Sequence, residues 1–123
     1  MKPESLKKMG VEALVERFAD IGVAQDKALL YDEIGKFNRL YDQKTAVLDE
    51  LKSRPGDQRR ALIPLYNHPN MQVRLNAAKA TLAVVYPEAY RMLEAIADSG
   101  WHPQAGDAGM SLSNLERGIF KLE

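Results

Sequence analysis

The chain has 123 residues, 46% hydrophobic and 28% charged, and is long enough to bury about two-thirds of its unfolded surface as one domain. Seventeen lysines and arginines balance 17 aspartates and glutamates, so no overall field draws it toward nucleic acid or an anionic membrane. There is no cysteine, which excludes disulfides, thiolate metal sites and a cysteine nucleophile, and no apolar run approaches the ~20 residues of a membrane span.

Residues 1–10 read as a flexible, charged tail with no apolar stretch of the signal-peptide kind, and the cytoplasm is the expected compartment. Residues 11–123 read as a single all-helical domain, since no alternating run of β-branched residues lies between turn signals. Val11, Leu14, Val15, Phe18 and Ile21 form the apolar stripe of a short first helix, with Gly22 as its expected stop. Asp26 is placed to cap a long second helix reaching about Ser53. Its seam is Leu30, Ile34, Phe37, Tyr41, Leu48 and Leu51, widened by Leu40 and Val47 and interrupted by Lys44. Such spacing could support a coiled-coil pair, but the few heptads favour the central helix of a small bundle.

Arg54-Pro55-Gly56 ends that helix, and Asp57 can cap a third carrying Ala61, Leu62, Leu65 and Tyr66, which Pro64 should kink or shorten. His68-Pro69-Asn70 then opens a fourth helix running to about Val85, with Asn70 as its cap. Tyr86-Pro87-Glu88 starts a fifth, with Ala89, Met92, Leu93 and Ile96 on its buried face and Gly100 after its end. A loop from Trp101 to Gly109 follows. Ser111 is the expected cap of a final helix bearing Leu112, Leu115, Ile119 and Phe120.

The block from Pro69 to Leu82, with Val73-Arg74 and the paired Ala77-Ala78, resembles HEAT-type helical repeats. Helices three and four would form one repeat hairpin, and the two preceding helices an atypical N-terminal cap. Leu14 to Phe18, Asn38 to Asp42, Ala97 to Trp101 and Gly106 to Met110 extend the likeness. From Val11 onward the chain is similar to a small bacterial HEAT-like family described only as a domain of unknown function. The resemblance implies five or six helices in an α-α superhelix and transfers no catalytic residue.

Catalytic motifs are missing from the sequence. Its two histidines, His68 and His102, stand a helical hairpin apart, and the carboxylates are scattered over helix faces. No metal and no cofactor are expected. Arg74 reads as a structural tie between turns. Two groups are candidates for contacting a partner. One is the row Gln72, Asn76 and Lys79 on the fourth helix, joined by Asn38 and Arg39 from the second, since inner repeat helices line a concave groove. The other is Trp101, His102, Gln104 and Asp107 in the glycine-rich loop, although a lone tryptophan more often plugs a core.

The function these features suggest is a non-catalytic protein–protein interaction module, in its most concrete form an immunity or antitoxin-like protein. The alternative is a small-ligand binder or enzyme with a pocket near the Trp101–Asp107 loop. Lys52, Arg54, Arg59 and Arg60 form a local basic cluster that keeps nucleic-acid binding as a minor reading against the neutral net charge.

Overall fold

The computed structural model describes residues 3–119, 122 and 123. Among these the chain is all-helical: α1 (Pro3–Lys7), α2 (Val11–Leu30), α3 (Ile34–Ser53), a 3-10 helix (Gln58–Asn67), α4 (Met71–Thr81), α5 (Tyr86–Asp98) and α6 (Gln104–Glu116). By its contacts the chain divides into two compact units, Met1–Leu62 and Ile63–Glu123.

In the first unit α2 packs along α3, and α1 packs on α3. Leu6, Leu14, Phe18, Ile21, Ala28, Val47 and Leu51 are buried, each of them except Ala28 contributing roughly 1.5–3 kcal/mol by leaving water. Part of the segment read as a tail is thus helical, and Leu6 anchors it. Arg54 holds α1 in place, donating to the carbonyls of Leu6 (3.1 Å) and Met9 (2.8 Å) and to Glu50 (2.6 Å).

The break between the first two long helices lies ten residues later than the sequence suggests. Gly22 is buried inside α2 and does not end it, and Asp26 lies in mid-helix rather than at a cap. The helix stops at Asp32, whose φ of 56° is left-handed. Asp32 N–H donates to the carbonyl of Leu29 at 3.2 Å and Glu33 N–H to that of Ala28 at 2.8 Å, the paired bonds of a Schellman motif. Aspartate tolerates this backbone better than most non-glycine residues. Only Val47 and Leu51 of α3 are fully buried, and Lys44, the interruption in its seam, lies over the Tyr41 ring at 4.4 Å.

Asp57 does cap the segment after α3: its Oδ1 accepts the Arg59 N–H at 3.2 Å. That segment is a 3-10 helix containing Pro64, which has no N–H to continue an α-helical ladder.

In the second unit α4, α5 and α6 pack around Leu75, Ala78, Leu82, Ala89, Leu93, Ile96 and Ala108, with Tyr66, Met92, Leu112 and Leu115 against them. Asn70 caps α4 by accepting the Val73 N–H at 3.2 Å, and Pro87 sits in the first turn of α5. Arg74 ties α4 back to the carbonyl of His68, whose Nδ1 accepts the Asn70 N–H at 3.0 Å. Thr81 Oγ1 donates to the Ala77 carbonyl at 2.8 Å; with its one proton so used, it accepts from the Tyr66 hydroxyl. Burial, more than any other influence, pushes the Tyr66 phenol above its usual value.

α4 ends at Thr81, short of the expected Val85. The last helix differs more. It begins at Gln104, so Gly106 and Gly109 lie within α6 rather than in a loop, and Ser111 is buried in mid-helix and caps nothing. Gly118, at φ 69°, closes α6 with bonds from its own N–H to Leu115 and from Ile119 N–H to Asn114. Ile119 is past that end and exposed, and Phe120 lies outside the described residues.

Candidate functional site

α4 and α6 run side by side in the second unit and bring together five of the nine residues singled out from the sequence. Gln104 Nε2 donates to Gln72 Oε1 at 2.9 Å, and Gln72 Nε2 donates to Asn76 Oδ1 at 3.0 Å. All three side chains are buried. Asn76 therefore does not line an open groove. Its low helical propensity is offset by an interior hydrogen bond, and Gln72 and Gln104 could reach a partner only indirectly.

At the surface beside this chain, Lys79 Nζ pairs with Asp107 Oδ1 at 3.0 Å, and Ser111 Oγ donates to the same oxygen at 3.3 Å. The pair links α4 to the first turn of α6. Both members remain partly open to water, so it contributes under about 1 kcal/mol to stability.

Trp101, His102 and Pro103 make the short passage from α5 into α6. The tryptophan is 62% exposed and does not plug the core. It is nevertheless fixed at the backbone: its carbonyl accepts the Ala105 N–H at 2.8 Å, and its own N–H donates to Ser99 Oγ at 3.1 Å. The His102 ring lies over α6, where a Cβ added to Gly106 would stand 3.7 Å from Nδ1. Met110, one turn beyond Gly106, is exposed as well and continues this face. Met110 ends the candidate loop read from the sequence but is not among the contact residues picked out there. Its only signal is the four-residue spacing from Gly106, which becomes visible once the segment is read as a helix.

Asn38 and Arg39 are exposed on α3 in the first unit. The basic cluster is largely committed within the fold: Arg54 holds α1, and Arg59 makes a forked pair with Asp57, at 2.9 Å from Nε and 2.7 Å from Nη2. That pairing, above all the side-chain hydrogen bond, holds the Asp57 carboxyl below its usual value. Among the described residues no group of three or more His, Cys, Asp or Glu is placed to hold a metal ion. Nor is any helix there long and apolar enough to cross a membrane.

Helical packing, an interior amide chain and an exposed aromatic at a helix junction define an all-helical protein whose distinctive surface is the start of α6. The chain belongs to the family described as Domain of unknown function (DUF2019), whose sequence model matches residues 12–116. It is similar to the protein RPA1889 from Rhodopseudomonas palustris CGA009, known from a crystal structure, at 53% identity and a TM-score of 0.94, over 96% of this chain and 98% of that one. The curated proteins contain no match to the chain.

Proposed function

We propose that this protein is a non-catalytic module that binds another protein through the face made by Trp101, His102, Asp107 and Met110. The carrying observation is the exposed Trp101 held by backbone bonds at the α5–α6 junction. An indole kept in water has no share in the core's stability, but it is a rigid, low-entropy anchor for a partner pocket. The Lys79–Asp107 pair beside it supplies a polar rim of both signs.

The buried amide chain supports this reading as a brace, fixing α4 against α6 so that the outer face keeps its shape. Successive helical hairpins of the HEAT-like kind would present such a face in the same way. A ligand pocket beneath the tryptophan is less favoured, because Gln104 and Asp107, two of its polar groups, already bond to Gln72 and Lys79.

A tagged pull-down from the source cells, with mass spectrometry of the eluate, tests the proposal. One stoichiometric partner is the expected result, and a toxin-like partner would specify an immunity role. Recovery of the protein alone, followed by a small-molecule thermal shift, would replace it with the ligand-binding reading.

A further inference from the structure

The hairpin tip joining α2 to α3 leaves unusually large apolar side chains in water. Leu30 is 77% exposed, Tyr31 63% and Ile34 67%, and Leu29 is exposed beside them. Tyr41, seven residues along the same face of α3 as Ile34, is exposed too. With Tyr41 these side chains leave an apolar surface in water, and an exposed apolar patch on a monomer usually serves an interaction.

Beside them opens a cleft of about 150 Å³, lined by Ala28, Leu29, Asp32, Glu33, Ile34 and Phe37. A space of this size and lining takes one leucine-sized apolar group. The tip thus carries a knob and a matching hole. It also carries both charge signs: Asp32 and Glu33 border the cleft, and Lys27 and Lys36 lie one helical turn to either side. None of these four is in an ion pair among the described residues.

A patch that offers what it accepts, in shape and in charge, satisfies the requirement of a two-fold contact between identical surfaces. We propose that the α2–α3 tip is a homodimer contact, in which Leu30 of each copy enters the cleft of the other while Lys27 and Lys36 face the opposing carboxylates. A contact confined to one hairpin tip is small beside the interfaces of permanent dimers, so the dimer is reversible rather than obligate. This contact uses none of the residues of the Trp101 face, and either proposal can fail without the other.

Sedimentation equilibrium of the full chain, from micromolar to near-millimolar concentration, tests it. The wild type should show a monomer–dimer equilibrium. Leu30→Asp should weaken it at least tenfold with the circular dichroism spectrum and melting temperature retained, because the side chain is already in water. Lys36→Glu should weaken it several-fold at low salt. A wild type that stays monomeric throughout overturns the proposal, and so does a dimer whose affinity Leu30→Asp leaves unchanged. Tighter capture of a basic apolar peptide by the monomer would hand the cleft to a different occupant.

Discussion

Gln104 on α6 and Gln72 on α4 share a 2.9 Å hydrogen bond between two buried side-chain amides. Replacing Gln104 by methionine keeps the volume but leaves Gln72 Oε1 without that donor in a dry interior. A stability loss of about 1–3 kcal/mol is expected, read by urea denaturation. Lys79→Ala, on the exposed side of the same helix pair, should cost less than about 1 kcal/mol. Equal losses for the two would show that the buried amide chain is no brace.

Arg54 ties α1 to the end of α3 by hydrogen bonds, through the Leu6 and Met9 carbonyls. Arg54→Ala should release residues 3–9 at a cost of about 1.5–3 kcal/mol, as hydrogen bonds from a charged donor are lost. Amide exchange in that segment should become fast while α5 and α6 remain protected. Unchanged protection near Leu6 would mean that burial of its side chain suffices.

The α2–α3 break and the start of α6 mark where sequence reasoning stopped working. Asn70, Pro87 and Gly100 are local signals with a local cause, a cap, a first-turn proline and a left-handed stop, and α4 and α5 were legible from them. Gly22 is the same kind of signal overruled by packing: a mid-helix glycine costs about 1 kcal/mol against alanine, which burial along α2 outweighs. Asp32 carries no comparable mark, because its left-handed backbone is fixed by the paired bonds around it. Gly106 and Gly109 suggest a loop by propensity, yet Ala105, Ala108 and Ser111 bury one face of α6 and make it helical. The site was legible in part. Five of the nine residues do meet on α4 and α6, but periodicity alone did not reveal that Gln72, Asn76 and Gln104 turn inward.

Asp32 in its left-handed conformation gives a direct check on that helix stop. Asp32→Gly removes the strain of a Cβ there and should raise stability by about 0.5–1 kcal/mol, visible as a higher melting temperature. Asp32→Val should lower it by more than that gain. A loss with glycine would place the stabilisation in the carboxylate instead of the backbone.

Asp57 makes the fold sensitive to acid. Its carboxyl is held below the usual range chiefly by the hydrogen bond to Arg59, so the stability it contributes is fully present above the ordinary aspartate value. That contribution is lost as pH falls through the lower, folded value. Asn keeps the left-handed backbone that Asp57 adopts at φ 51°. The Asp57→Asn variant should therefore be less stable than wild type at pH 7 and converge with it in strong acid. A constant difference across the acid range would separate Asp57 from the pH dependence.

The exposed Trp101 face is the centre of the functional account, and the affinity of a purified partner for Trp101→Ala, set against its melting temperature, tests it most directly. At least a tenfold loss of affinity, about 1.4 kcal/mol or more, is expected with the melting temperature held. Unchanged affinity would contradict it, and so would an affinity loss matched by loss of the fold.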